Sequence, residues 1–285
     1  MKLVLITEMS KLVPVGLSLT ATACWGTAGF LGGYGSRRKN SFVFATVVNL
    51  AALTLVFVTA TSVGAPVLSR HSVIWSLIAG ICGGLGLAIF YGSLSRGKMG
   101  LAAPVVGVIS VGIPTVATIL REGSPGSPHL LGFALAIVGV FLISQSGDRT
   151  ERQVFMLAIL AGCGFAGYAM AIRQAGPGSA IWIEVHSRAS ALLITLVVAV
   201  CGSHFGELRR SSPWLGIGVG IIDVAGSVAF VRDTQIARLD TVIVLTSLQP
   251  AVTVVLALIL LKEKLAPYKA IGVCAALLSI PLIAN

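Results

Sequence analysis

Ten long runs of apolar residues, separated by short polar breaks, constrain this chain more than any other feature. A helix that crosses the hydrocarbon core of a bilayer needs about 20 predominantly apolar residues. Only 11% of the 285 residues are charged and 56% are hydrophobic, which is too little charge to cover a water-soluble domain. We predict transmembrane helices at 12–33, 41–63, 72–95, 100–120, 128–146, 153–173, 179–202, 213–231, 241–261 and 266–284.

The apolar runs are continuous rather than alternating, which favours helices over the strands of a membrane barrel. Lipid cannot hydrogen-bond a free backbone group, and a helix satisfies its own. The sequence therefore predicts an all-α integral membrane protein that spans the bilayer several times. Glycine pairs four residues apart, Gly80 with Gly84 and Gly216 with Gly220, are expected to let helices pack closely.

Charge and motif content exclude several classes of function. The net charge of +10 is spread over the connections between apolar runs, as is typical of membrane proteins, so we predict no nucleic-acid partner. The five cysteines and four histidines form no ligand pattern. No HExxH, GxSxG or GxxxxGK[ST] motif occurs. We expect no catalytic residues, no metal, no cofactor and no direct use of ATP.

The chain also repeats itself, which is its most informative pattern. Residues 89–98 resemble residues 229–238, and each segment precedes an apolar run that ends near an acidic residue. Those acidic residues, Glu122 and Glu263, are 141 positions apart. We therefore predict two halves of five helices each. Because five is odd, the second half enters the membrane with the opposite orientation.

The predicted halves are residues 1–147 and 148–285. Ten transmembrane helices arranged as two inverted five-helix repeats can enclose a cavity near the bilayer midplane, which opens to either side in turn. This is the geometry of a secondary transporter. The pattern predicts movement of a solute more firmly than it predicts which solute is moved.

Several segments carry a resemblance to a known family. The first helix contains Trp25-Gly26-Thr27-Ala28-Gly29-Phe30, and the second half contains Leu260-Leu261-Lys262-Glu263-Lys264-Leu265 before a final helix with Ile271-Gly272. In order and spacing these segments resemble EamA-type members of the drug/metabolite transporter superfamily, over essentially the whole chain. The resemblance implies export or exchange of small metabolites, amino acids among them, and termini on the cytoplasmic side.

One departure from the family pattern affects the site. The family often has an arginine near the start of the second helix of each half. Arg188 fits that position in the second half, whereas the first half has Asn49. The resemblance therefore implies a site that is not chemically symmetric.

Asp223 lies near the middle of an apolar segment with no basic residue within two turns of its helix. Ionisable side chains inside a span usually face the bundle interior and mark a pathway. Low dielectric disfavours an isolated carboxylate anion. Asp223 is therefore either a proton-coupling or cation-binding group, or the partner of a residue on another helix.

Glu184 and Arg188 are four residues apart and so lie on one face of the seventh helix, where they can pair. The pair is either a neutralised contact near the membrane surface or a site in which Arg188 binds a substrate carboxylate in bidentate fashion. His186 lies on another face of the helix. It is either a packed histidine or a further polar group of the site.

The remaining candidates are two aromatic residues and an amide. Trp25 and Tyr168 are candidate walls of a cavity, since Trp25 lies deeper in its span than an interfacial anchor would. Gln249, beside Pro250, is a candidate donor in the ninth helix. Pro104, Pro114 and Pro250 are expected to interrupt the fourth and ninth helices, either for packing or to free carbonyl groups for a cavity.

The sequence thus predicts a secondary active transporter that exports or exchanges a small metabolite, such as an amino acid, by alternating access. Efflux of cationic or amphipathic drugs by the same fold is one alternative, and an intramembrane lipid-modifying enzyme is an alternative of another class. We expect a monomer or homodimer in the bacterial cytoplasmic membrane, driven by a proton or ion gradient. The distribution of Lys and Arg favours termini on the outer side, which conflicts with the orientation implied by the family.

Overall fold

The computed structural model describes residues 2–97, 99–122, 127–144, 149–176, 178–202, 213–236, 242, 245–246 and 248–284. Those residues form helices and connections but no strand, so the predicted all-helical fold is confirmed. The helices are α1 (Lys2–Gly35), α2 (Ser41–Val63), α3 (Arg70–Arg96), α4 (Met99–Glu122), α5 (Ser127–Ser144), α6 (Arg149–Ala175), α7 (Ala180–Cys201), α8 (Trp214–Ile236), α9 (Gln249–Leu260) and α10 (Pro267–Ala284).

Six of the described helices are long and apolar enough to cross a bilayer: α2, α3, α6, α7, the Met99–Ala117 part of α4 and the Trp214–Asp233 part of α8. Shorter apolar helices follow at Gln249–Leu260 and Pro267–Ile280. The chain is therefore a multi-pass membrane protein, while ten crossings stay a prediction. The predicted start of the ninth span, at 241, lies outside the described residues.

The connections set where several helices begin and end. Asn40, Ser69 and Ser179 each precede a helix and accept a hydrogen bond from a backbone N–H in its first turn. Such N-caps satisfy donors that have no partner within the helix. Gly64 ends α2 with φ 62°, a left-handed conformation that glycine adopts without strain.

The prolines behave differently in the two helices where interruptions were predicted. The fourth helix runs without a break through Pro104 and Pro114, so that part of the prediction is wrong. Neighbouring helices and local adjustments can absorb the missing hydrogen bonds of such prolines. The ninth helix begins at Gln249, with Pro250 in its first turn. A backbone N–H in the first turn has no partner within the helix, so a proline there costs no hydrogen bond.

Glycines bring helices of the two halves into close contact, as the spacing predicted. A Cβ placed on Gly80 would lie 1.9 Å from the Ser187 carbonyl oxygen, and one on Gly84 would lie 2.8 Å from Ala191 Cα. A Cβ on Gly220 would lie 2.5 Å from the Val48 carbonyl oxygen. Because no larger residue fits at these points, α3 lies directly on α7 and α2 directly on α8.

The main helix pairs also form a regular pattern across the halves. Contacts join α2 to α7, α4 to α9 and α5 to α10, helices with the same rank in each half. Six further pairs form three exchanged couples, α1–α8 with α3–α6, α1–α9 with α4–α6, and α2–α8 with α3–α7, whereas the contact of α4 with α10 has no counterpart of similar extent between α5 and α9 among the described residues. A two-fold relation between α1–α5 and α6–α10 is expected to give this pattern.

One end of the bundle, where α4 begins, is tightly packed. Leu94, Met99, Ala102 and Val105 are at most 1% exposed and belong to one apolar cluster. At the same end Glu263, in the connection between α9 and α10, accepts hydrogen bonds of 3.0 Å from the backbone N–H groups of Met99 and Gly100. The second half thereby caps a helix of the first half.

Candidate functional site

A cavity of about 200 Å³ lies between the two halves and is lined by residues of α1, α2, α3, α4, α6, α7, α8 and α9. Its lining on α4 runs from Ala103 to Thr115, which is about 18 Å along a helix. Because Met99 and Ala102 are buried in the packed end, the cavity extends from the second turn of α4 toward the C-terminal end of that helix.

Arg188 stands at the centre of the polar part of the cavity. Its Nε donates to Glu184 Oε2 at 3.1 Å, and its Nη1 lies 2.6 Å from Asp223 Oδ2. Its Nη2 donates to Ser227 Oγ at 2.5 Å, and Nη1 makes a longer contact of 3.4 Å with Asn49 Oδ1. The guanidinium thus joins α7 to α2 and α8.

The two carboxylates have different surroundings. Both oxygens of Glu184 are occupied, because Oε1 accepts a 2.9 Å hydrogen bond from Tyr168 Oη and Oε2 binds Arg188. Among the described residues, Asp223 Oδ2 has Arg188 as its ion-pair partner and no hydrogen-bond donor besides. Glu184 is 0% exposed and Asp223 6% exposed, yet only Asp223 lines the cavity. Asp223 is the carboxylate that a ligand can reach.

The formal charges of this cluster do not cancel. Arg188 supplies one positive charge, while Glu184 and Asp223 supply two negative charges. Among the lining residues that the structure describes, Arg188 and Asp223 are the charged ones. Since an unbalanced charge is costly in a low-dielectric interior, the cluster favours a proton or a cationic ligand. It disfavours an anion.

Neutral residues complete the site. Trp25 Nε1 donates to Ser227 Oγ at 3.2 Å, and Ser227 Oγ in turn donates to the Asp223 carbonyl oxygen at 3.1 Å. Asn49 is fully buried, and its Nδ2 has no hydrogen-bond partner among the described residues. An unpaired donor of this kind is free to bind an acceptor atom of a ligand.

Aromatic rings form much of the wall: Trp25, Phe90, Phe165, Tyr168 and Phe230 all line the cavity. Trp25 packs against Phe230 with ring centroids 5.1 Å apart, and Phe90 lies edge-on to Phe165 at 5.7 Å. Aromatic faces attract cations as well as apolar groups. The cavity therefore combines an acidic group with an apolar, cation-tolerant wall.

The structure brings together seven of the eight residues that the sequence singled out. Those that line the cavity are Trp25, Asn49, Tyr168, Arg188, Asp223 and Gln249, while Glu184 lies behind Arg188 and holds it in place. The Glu184–Arg188 pair is buried among the helices, and Asp223 has a partner on another helix.

His186 is placed apart from the cluster. Its Nδ1 lies 2.8 Å from the carbonyl oxygen of Trp182 on the same helix, and its ring packs against the Trp182 ring. Trp182 itself donates through Nε1 to the Ala65 carbonyl oxygen at 3.0 Å. His186 is outside the cavity lining.

Sequence reasoning missed Ser227 and the phenylalanines Phe90, Phe165 and Phe230. Ser227 stands four residues after Asp223, a spacing that places both on one helix face. That periodicity could have identified it. The phenylalanines carry no such signal, because phenylalanine is common in any apolar span.

Comparison with known proteins agrees with this architecture. The profile of the EamA-like transporter family matches the chain twice, at residues 13–145 and at residues 153–285. The chain belongs to the EamA-like transporter family. Membership supports a transport protein with two family repeats rather than an enzyme.

Two relatives show how far this similarity extends. An uncharacterised transporter of Synechocystis sp. is 26% identical over 228 residues, which cover 75% of this chain and 68% of that protein. A probable 4-amino-4-deoxy-L-arabinose-phosphoundecaprenol flippase subunit, ArnE, of Pseudomonas savastanoi pv. phaseolicola is 34% identical over 79 residues, covering 28% of this chain and 69% of that protein.

Among solved structures, one crystal structure covers 97% of this chain and 97% of its own, with a TM-score of 0.62 and 14% sequence identity. At that identity the similarity concerns the fold alone. The overall arrangement of helices is therefore shared with an experimentally determined protein.

Proposed function

We propose that this protein is a secondary active transporter that exports or exchanges a small amine-bearing metabolite, with amino acids included, in return for protons. The observation that carries the proposal is the buried cluster of Arg188, Glu184 and Asp223, which places one unbalanced negative charge at a cavity between the two halves. We place the protein in the cytoplasmic membrane of a bacterium.

The exchanged pairing of helices supports two halves of inverted topology with ten crossings. In such an arrangement the halves rock about a shared site, and each side of the membrane gains access in turn. Here the cavity extends toward the C-terminal end of α4. The opposite end is closed by the apolar cluster around Met99 and by Glu263.

A single acidic group that accepts either a proton or an ammonium group is sufficient for exchange. Asp223 suits this role because it lines the cavity and has only Arg188 as a polar partner of its side chain among the described residues. A proton and an ammonium group both neutralise the same carboxylate, so each displaces the other. The proton released from Asp223 when the amine binds leaves on the side from which the amine came.

An anionic solute fits less well. Arg188 already binds two carboxylates, so a substrate carboxylate would have to displace one of them and raise the local negative charge. A zwitterion adds no net charge, because the ammonium group that faces Asp223 offsets the charge of its own carboxylate. Its carboxylate can then accept from the free Nδ2 of Asn49.

Efflux of amphipathic organic cations is the second candidate function. The specific observation in its favour is the ring of aromatic residues that shares the cavity with Asp223, since cation–π contacts stabilise a desolvated organic cation. The name of the ArnE relative refers to an amino sugar, so an amine-bearing compound is associated with a related chain.

The test uses proteoliposomes that contain the purified protein and a trapped pH-sensitive dye. Three compounds of matched shape are added in turn: phenylalanine, phenethylamine, which lacks the carboxylate, and 3-phenylpropionate, which lacks the amine. We expect phenylalanine and phenethylamine to drive proton movement and 3-phenylpropionate to drive none. Movement with phenethylamine alone would favour the second candidate, and movement with 3-phenylpropionate alone would contradict both.

Asp223→Asn is the matched variant for this assay. It removes the ionisable group while keeping the size of the side chain, so it should reduce amine-driven proton movement at least tenfold without loss of folded protein from the membrane. Undiminished proton movement in this variant would rule out Asp223 as the coupling group.

A further inference from the structure

A second site lies outside the transport cavity, in a groove between the end of α3 and the start of α6. The groove has a volume of about 460 Å³ and is lined by Arg96, Arg149, Arg152, Gln153, Met156 and Leu157. Arg96 comes from the last turn of α3, and Arg149 and Arg152 come from the first turn of α6. Two helices that belong to different halves thus place three cations around one groove.

Within the described residues, these arginines lack counter-charges. All three are exposed, and within the described part of the chain none of them forms a hydrogen bond or an ion pair. The nearest carboxylate on α6, Glu151, is paired with Lys269 and lies on the opposite face of the helix. The described lining of the groove therefore carries three positive charges and no negative one.

The position of Arg149 and Arg152 adds to that potential. The N-terminus of a helix carries a partial positive charge, so cations are unfavourable there and anions are stabilised. Free backbone N–H groups in the first turn can also bind a phosphate directly. Arg149 and Arg152 are thus unfavourably placed at the start of α6 when no anion is bound, and a bound anion would stabilise this turn.

An apolar stripe continues from the arginines toward the bilayer centre. Arg149, Arg152, Met156 and Leu160 follow each other on one face of α6 at helical spacing. Met156 is 55% exposed and Leu160 is 53% exposed, and both lie within a helix that is long and apolar enough to span the membrane. A cationic turn followed by an exposed apolar stripe matches, in order and direction, a phosphate headgroup followed by an acyl chain.

We propose that this groove binds an anionic glycerophospholipid, with its phosphate among Arg96, Arg149 and Arg152 and an acyl chain along Met156 and Leu160. The apolar stripe decides between a lipid and free phosphate, because free phosphate would gain nothing from it. Since the groove joins α3 to α6, a bound lipid would stabilise the contact between the two halves.

The test measures thermal unfolding and native mass spectra of the full-length protein in a neutral detergent. Phosphatidylglycerol, phosphatidylcholine with the same acyl chains, or inorganic phosphate is added. We expect phosphatidylglycerol to raise the Tm most and to give a resolved one-lipid complex. Inorganic phosphate that raises the Tm as much as phosphatidylglycerol would overturn the lipid assignment.

The decisive variant replaces Arg96, Arg149 and Arg152 with Gln. Because each interfacial arginine contributes about 1 kcal/mol to binding of an anionic lipid, the Kd for phosphatidylglycerol should rise about fivefold for each arginine removed. The matched control replaces Arg38, Lys262 and Lys264 with Gln. These residues lie at the same end of the bundle outside the groove, so this variant should bind phosphatidylglycerol as the native protein does.

Equal loss of binding in the two triple variants would show that net charge alone attracts the lipid, and it would overturn the site. If the triple groove variant does not fold, Arg152→Gln and Arg149→Gln are measured singly. Each is expected to raise the Kd about fivefold, and an unchanged Kd in both would contradict the proposal.

Discussion

The two halves share a fold pattern but contribute different chemistry to the cavity. The charged lining residues that the structure describes, Arg188 and Asp223, belong to the second half, as do Tyr168 in the cavity wall and Glu184, to which Tyr168 donates. The first half supplies neutral groups, among them Trp25 and Asn49. Asn49 even occupies the position where the family pattern led us to expect an arginine.

This difference shows that a two-fold architecture does not require two ionic sites. One cation against two carboxylates leaves one negative charge, which a single proton or ammonium group balances. An arginine at position 49 would cancel that charge, and the cluster would then have no need of a cation. If the proposed function is correct, the neutral first half is part of what makes the site select a cation.

The largest expected effect comes from a substitution in the second half, which supplies the charged residues of the cavity. Arg188→Ala leaves Glu184 and Asp223 buried without their shared cation, and breaking a buried ion pair in this way costs about 3–5 kcal/mol. We expect a clear fall in the unfolding temperature of the detergent-solubilised protein. Adding Asp223→Asn should recover part of the loss, and a single variant as stable as the native protein would contradict the charge count.

A smaller effect is expected where the second half caps the first. Glu263→Ala removes two part-buried hydrogen bonds to the start of α4, which water can partly replace, so we expect a cost of about 1.5–3 kcal/mol in total. The packed end should then open more often. The measurement uses Ala102→Cys in a background without the native cysteines. This cysteine should react faster with a membrane-impermeant maleimide when Glu263 is replaced by Ala than when Glu263 is present.

The control for that experiment is Lys264→Ala, which removes an exposed charge from the same connection. It should leave the labelling rate of a cysteine at position 102 unchanged. Equal labelling rates with and without Glu263 would show that this carboxylate does not hold the end closed.

The smallest effect is expected from a substitution in the first half, which supplies neutral residues to the cavity. Asn49→Ala removes a long contact of 3.4 Å to Arg188, which contributes little at that distance. We expect the free energy of unfolding to change by less than about 1 kcal/mol and amine-driven proton movement to persist. A loss of proton movement equal to that of Asp223→Asn would mean that the two halves do not differ as described.

Much of this arrangement could be predicted from the sequence. Continuous apolar runs define membrane helices because lipid leaves the backbone no alternative, and the boundaries of α2 and α7 were predicted closely. The separation of four residues between Glu184 and Arg188 predicted that they pair. Repeated segments around Phe90 and Phe230 indicated two halves.

Other features depend on which helices meet, and a single sequence does not contain that information. The pairing of Asp223 with Arg188 joins α8 to α7 across 35 positions of the chain. The interruption expected at Pro104 and Pro114 was wrong, because α4 continues through both prolines, and neighbouring helices can accommodate the lost backbone hydrogen bonds. His186 lies apart because its ring turns back to Trp182, a choice that spacing alone does not decide.

The central claim is that Asp223 accepts the proton that balances the cavity. Infrared difference spectroscopy of the purified protein, recorded on acidification, measures this directly through the C=O stretch of a protonated carboxyl group. The account predicts a band that is present in the native protein and in Asn49→Ala and is missing in Asp223→Asn. The same band at full intensity in folded Asp223→Asn would contradict it.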